Sequence, residues 1–438
     1  MFFFFGQQPD IVAIGDGPGS FFLKAIVTLF ALSYPIVSAA QYSNPLTLAE
    51  AEQTALADEP GTLGLLSKAA AMDEYAVVAE HLPEPSLRIG LNNFPIESGG
   101  FETEGMTSVG IGIRQEFPSG SSRAASAKYY DSRAGEFRDN ADARRDRVLL
   151  AVRDAWLDSY QYQEMYKLIE EARPLFVDLA SVSQSLYSVG RKSQKDVLRA
   201  ELELSRLDDR ALEIVRQKNH ARAVMSEWLG QHSARPVAAT LPSWEALPPL
   251  EELQQRLQEH PSLQAADKSI AARDASVELA SEKGKPRVAL DVGYNYREGF
   301  LPSGEPRSDF VSIAVSVGLP MFQRQSVDST LTAALGERSA ARSDRERLLR
   351  SLQSELAGAY MRWADLDRRV SLYETKILEQ SRDHANAALL AYQNDKGDFA
   401  DVMRGYVDEL DVRTQVLRLK VERAKSYVLL ANLGGLRR

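Results

Sequence analysis

Tyr187, Arg191, Asp196 and Arg199 recur in the same register as Tyr392, Lys396, Asp401 and Arg404, 205 residues further on. The two stretches read YSVGRKSQKDVLRA (187–200) and YQNDKGDFADVMRG (392–405). A phenol, two cations and a carboxylate at this spacing form no nucleophile–base pair. They can form polar links between helices. If copies surround one axis, a ring of carboxylates at a narrow point attracts cations and can select or gate. Gly190 and Gly397 lie in the same stretches, and glycine supplies the positive φ that many helix ends require. Asp196 and Asp401 fall near the start of the following helix, where the helix dipole favours an anion. The plainest account is a helix-hairpin tip, written twice because its domain is.

Other chemistry is sparse. The chain has no Cys, which excludes disulfides, thiol catalysis and thiolate metal sites. Its five histidines, His81, His220, His232, His260 and His384, form no H-E-x-x-H pair. GDGPGS (15–20) lacks the strand and helix of a phosphate loop, and no G-x-S-x-G occurs. Met72, Met106, Met321 and Met403 are scattered. No catalytic residue, metal site or cofactor is assigned. A net charge of −9 gives no footprint for nucleic acid.

The elements that hold the doubled phrase are also doubled. LTLAEAEQTALADEP (46–60) parallels PPLEELQQRLQEHP (248–261), and EWLG (227–230) answers ANLGG (431–435). The expected organisation is a first repeat over 41–235, with a hairpin at 86–117, and a second over 236–438, with a hairpin at 287–320. Each repeat reads helix, hairpin, long helix, return helix. A unit of this length is a duplicated domain, since solenoid repeats run to roughly 20–50 residues. Ahead of them, FFLKAIVTLFALSYPIVSAAQ (21–41) has the layout of an export signal over 1–40, cleaved after Ala40. The alternative is a membrane anchor, but the uncharged core from Ala25 to Val37 is short of the roughly 20 residues a spanning helix needs. The residues preceding that core leave the translation start open.

Apolar residues alternate in four segments: Leu87, Ile89, Leu91; Val109, Ile111, Ile113, with Gln115 breaking the run; Val288, Leu290, Val292, Tyr294, Tyr296; Val311, Ile313, Val315, Val317, Leu319. Period two predicts strands, and the opposite face holds Gly, Ser, Asn and a few charges. Pro83, Pro85, Pro118, Pro286 and Pro320 punctuate the changes between helix and strand. Leu349, Leu352, Leu356, Ala359, Trp363, Leu366, Val370, Tyr373 and Ile377 keep a three-four spacing, which predicts coiled-coil packing along a helix from about 325 to 392. Its counterpart over about 121–188 contains Pro174, which is expected to bend it. Return helices are expected over 194–230 and 399–433, and single helices over 46–82 and 249–284. Four strands with a lipid-compatible face cannot close a barrel alone, so copies must share one.

The repeated plan and the Y-x3-[RK]-x4-D-V phrase in both halves resemble the TolC-type outer-membrane efflux duct family, over about residues 46–435. The stretch NNFPIESGGFETEGMTSVGIGIRQEFPSGSSR (92–123) is similar to its heavy-metal cation branch. The resemblance implies an α+β membrane protein: a duplicated helix–β-hairpin–long-helix–helix repeat, a long α-helical coiled-coil tunnel, and a four-strand contribution to a shared transmembrane β-barrel. It implies a homotrimer in outer-membrane lipid, a Gram-negative host, a periplasmic adaptor (membrane fusion) protein and an inner-membrane efflux pump. The function implied is passive export of small molecules or metal cations, without catalysis. At the periplasmic aperture, Tyr392 matches the family's linking tyrosine and Asp401 its first aperture aspartate. Arg404 stands where the family can have a second aspartate, and Lys396 is displaced by one position from the basic linker. The competing expectation is a soluble periplasmic coiled-coil scaffold or adaptor.

Overall fold

The structure is a computed structural model that describes residues 44–244, 246–320 and 324–436. The expected export signal at 1–40 lies outside the described residues.

The single helix expected over 46–82 is two. Helix α1 (Leu48–Ala57) is capped by Thr47, whose Oγ1 accepts from Glu50 N at 3.2 Å. Helix α2 (Pro60–Glu80) is capped by Glu59, which accepts from the backbone N–H groups of Gly61 and Thr62. Proline has no N–H to give a helix interior but fits the first helical position, so Pro60 starts α2 and cannot continue α1. The segment 249–284 divides for the same reason. Helix α5 (Leu250–Arg256) and one 3₁₀ turn (Leu257–Glu259) precede α6 (Pro261–Glu282), with Pro261 at its start.

The four strands are β1 (Ser86–Asn92), β2 (Ser108–Phe117), β3 (Arg287–Tyr296) and β4 (Phe310–Gly318). They form one antiparallel sheet in that order. The register lines up Leu87, Ile113, Val292 and Ile313 as one apolar row and Ile89, Ile111, Tyr294 and Val311 as the next. These side chains are exposed, with Ile313 and Val311 each at 71%. The opposite face carries the rows Ser86, Arg114, Asp291, Ala314 and Arg88, Gly112, Gly293, Ser312. Within this sheet β1 and β4 are paired on one side only.

Helix α3 (Ser122–Ser188) has 67 residues, about 100 Å at the α-helical rise. It runs through Pro174 without a break. Its counterpart is α7 (Arg324–Leu372), one π turn (Tyr373–Ile377) and α8 (Leu378–Gln393). Shifted back by the 205-residue repeat, the π turn covers 168–172. Pro174 removes the bond that the Glu170 carbonyl would accept. Each long helix thus has its hydrogen-bond ladder disturbed at the same position. The return helices are α4 (Gln194–Leu229) and α9 (Phe399–Leu433).

Helix α3 rests on α2 and α6 in its first part, as Arg138 to Asp73 and Lys128 to Glu278 show, and on α4 beyond, through Arg173 and Asp208 at 3.0 Å. A middle core surrounds Trp156, whose Nε1 donates to the Leu46 carbonyl at 3.0 Å and whose ring stacks on Tyr160. Lys425 of α9 reaches Asp154 at 3.0 Å and Asp158 at 2.8 Å on α3. Another core joins Leu253, Leu257 and Leu263 to Leu352 and Leu356 of the heptad face.

Candidate functional site

Both copies of the phrase are helix-hairpin tips, and they belong to one core. Phe176, Leu179, Ala200 and Leu207 from the first hairpin pack with Tyr392, Phe399, Val402 and Met403 from the second.

The first tip ends α3 in a left-handed residue. Gly190 has φ +73°, and the Arg191 N–H returns to the Leu186 carbonyl at 2.9 Å, which is the Schellman pattern. Ser193 then caps α4. Its N–H and hydroxyl both donate to Asp196 Oδ2, at 3.4 and 3.3 Å, so Asp196 is a buried capping-box carboxylate. Tyr187 and Arg191 are exposed, and Arg199 is half-buried. The Arg199 Nε finds no hydrogen-bond partner among the described residues.

The second tip repeats this geometry with other residues. Asp395, at φ +56°, takes the left-handed position, and Lys396 N–H bonds the Ala391 carbonyl at 2.8 Å. Gly397, expected to supply the positive φ, does not. Its role is steric, since a Cβ there would stand 3.0 Å from Ala391 Cβ and 3.1 Å from Tyr392 N. The 205-residue register aligns Gly190 with Asp395, and Gly397 with Lys192. Asp398 replaces Ser193 as the cap, accepting from Ala400 N. Asp401 is therefore free of capping. It is exposed and pairs with Arg404 at 3.1 Å.

Lys192, which sequence reasoning missed, joins the tips. Its Nζ lies 3.2 Å from Asp395 Oδ1 and 4.6 Å from the centroid of the Tyr392 ring. Tyr392 is buried against Phe399, with ring centroids 5.4 Å apart. Its hydroxyl has no hydrogen-bond partner among the described residues. Burial raises the Tyr392 phenol above its ordinary pKa. The facing Lys192 ammonium opposes that rise, and Asp196, Asp395 and Asp398 reinforce it. Tyr187, its counterpart in the repeat, is open to solvent and makes no such link.

At the far end, the polar face of the sheet is knit across strands. Arg88 and Arg114 both reach Asp291, at 3.5 and 3.3 Å, and Ser316 Oγ donates to the same carboxylate. Asn92 bonds Asn295, which bonds Ser312. Gly110 makes room for the asparagine pair, because a Cβ there would fall 2.6 Å from Asn295 Oδ1. Among the described residues, no group of three or more His, Asp or Glu side chains converges on a common point. Among the same residues, no helix is long and apolar enough to cross a membrane.

A sheet with an exposed apolar face, carried on long paired helices that end in two joined tips, is a fold shared with solved outer-membrane channels. The outer-membrane channel OprN superimposes with a TM-score of 0.73 at 19% identity, over 89% of each chain. The outer membrane protein VceC of Vibrio cholerae gives 0.74 at 16%, covering 89% of this chain and 96% of that one. The open-state MtrE channel of Neisseria gonorrhoeae gives 0.69 at 16%, covering 89% and 88%. Residues 253–436 match the outer membrane efflux protein family, in agreement with the resemblance carried by the doubled phrase. Protein CyaE of Bordetella pertussis is 27% identical over 272 residues, which are 59% of this chain and 56% of that protein. The chain thus spans about half the length of the curated relative it matches.

Proposed function

We propose that the protein is the outer-membrane channel of a tripartite efflux system, built as a homotrimer. The observation that carries this is the four-stranded sheet, with Leu87, Ile113, Val292 and Ile313 exposed in a row and both edge strands unpaired. Lipid tolerates strands only in closed barrels. Three copies give twelve strands, enough to surround a lumen. Because β4 runs antiparallel to β1, a second copy extends the sheet without a parallel pair. The apolar row then faces lipid and the Gly, Ser and Asn face lines water. A soluble adaptor has no use for such a face.

In this reading the chain is two repeats meeting near residue 235, the long helices form a periplasmic tunnel, and the joined tips form its mouth. Tyr187, Arg191, Asp196, Arg199, Tyr392, Lys396, Asp401 and Arg404 then stand around the aperture, with a periplasmic adaptor docking outside and an inner-membrane pump beyond. The channel is passive, and no reaction is assigned to it. Mass measurement of the detergent-extracted protein tests the proposal. A trimer in the outer-membrane fraction is expected. A monomer, or recovery in the soluble periplasmic fraction, overturns it.

A further inference from the structure

The chain as a whole is acidic, with a net charge of −9, but the polar face of the sheet is not. Arg88, Arg114, Arg287 and Arg297 lie on that face, against Glu116 and Asp291. Arg297 continues the alternation of β3 and stacks 3.8 Å from the centroid of the Phe310 ring, beside Asn295. Asp291 serves two guanidiniums, those of Arg88 and Arg114, and Glu116 lies 3.5 Å from Arg114. The other two make no ion pair among the described residues. Arg287 is exposed and makes no ion pair among the described residues. The Arg297 guanidinium donates to the carbonyls of Ser308, at 2.8 Å, and Gly105, at 3.0 Å, while its backbone N–H donates to Asp309 Oδ1 at 3.0 Å and leaves that carboxylate close by. Carbonyls hold its position but leave its charge in place.

The tips have the same bias. Asp401 is matched by Arg404, while Arg191, Lys195 and Lys396 are exposed and without ion pairs among the described residues, against one such carboxylate, Asp398.

We propose that this conduit selects anions, so that its exported solutes are anionic or neutral molecules and not metal cations. The inference rests on the trimeric duct proposed above. Three copies bring the guanidiniums of Arg287 and Arg297, neither of them in an ion pair among the described residues, around one lumen. Charge of one sign in a narrow passage with low-dielectric walls concentrates counter-ions and excludes ions of its own sign. The uncharged side chains of Asn92, Asn295 and Ser312, bonded to one another across the strands, give a passing solute hydrogen bonds without an opposing charge.

The test is the reversal potential of the purified full-length protein in planar bilayers across a KCl gradient. A chloride-to-potassium permeability ratio above unity is expected. Arg287→Gln with Arg297→Gln should bring the ratio to unity or below. Arg287→Gln alone, which disturbs no ion pair, should lower it part of the way, and Asp291→Asn should raise it. Potassium preference in the unsubstituted protein, or a ratio unmoved by the double substitution in an assembled trimer, overturns the selectivity. Absence of any conductance from an assembled trimer overturns the duct itself, a distinct failure.

Discussion

The ammonium of Lys192 stands 4.6 Å from the centroid of the Tyr392 ring, so a residue of the first tip covers an aromatic of the second. The same ammonium pairs with Asp395. One cation therefore ties together two helix turns 200 residues apart in sequence. Lys192→Ala is expected to lower stability by about 1 kcal/mol, from the cation–π contact and a partly exposed ion pair. The loss should be local. Hydrogen exchange should quicken over 187–200 and 390–404 and stay unchanged around Trp156. Lys192→Arg should retain most of the protection, because a guanidinium makes both contacts.

Stability should depend on Glu59 in acid. Arg144, 2.8 Å away, together with Thr62 and the Gly61 N–H, holds its carboxyl at about 2, against an ordinary 4.5, although burial works the other way. A depressed folded-state pKa stabilises above the unfolded value and is lost as pH falls through the folded one. The contribution is complete above about 4.5 and disappears towards about 2. Glu59→Gln is expected to cost roughly 1–3 kcal/mol at neutral pH. It should also flatten the melting temperature across this acid window, which thermal unfolding at a series of pH values would reveal.

The two faces of β4 should respond oppositely to the same substitution. Ile313→Arg places a cation on the apolar face at a cost of roughly 2–4 kcal/mol near a bilayer midplane, and should block assembly. Ser316→Arg points to the polar face beside Asp291 and should assemble normally. Heat-resistant oligomer on gels reads the difference, and equal yields of the two variants would mean the faces are reversed.

Gly405 marks a close approach of the two helices of the second hairpin. A Cβ there would lie 2.9 Å from the Ala385 Cα, a backbone atom that cannot swing aside. Gly405→Ala is expected to push α9 from α8 and lower stability by roughly 1–3 kcal/mol. The melting temperature of the extracted protein measures it.

Much of this fold is legible in the sequence, because its signals are local. The return helices run Gln194–Leu229 and Phe399–Leu433, within a residue of the expected bounds, since capping residues and periodicity punctuate them directly. Alternation at Ile111, Ile113, Val311 and Ile313 reveals strands whose faces differ. The break before Pro60 is equally local, but helical composition on both sides obscures it. The tips are a harder case. Glycine identity suggests pairing Gly190 with Gly397, whereas the repeat register pairs it with Asp395, and the backbone follows the register. Lys192 is invisible at this level because its partners are set by how two hairpins cross. Tyr187 and Tyr392 look equivalent in sequence and differ in burial for the same reason.

The single-sided pairing of β1 and β4 dictates an order of events. A lone chain entering lipid would carry two rows of bare amide and carbonyl groups into hydrocarbon, each costing several kcal/mol. In water the same edges, flanked by exposed Ile and Val, are templates for indiscriminate pairing. Neither compartment can hold the solitary protomer for long. In a barrel shared between copies, recognition must therefore precede or accompany membrane insertion, with the helices, which bury cores of their own within one chain, already folded when the strands meet.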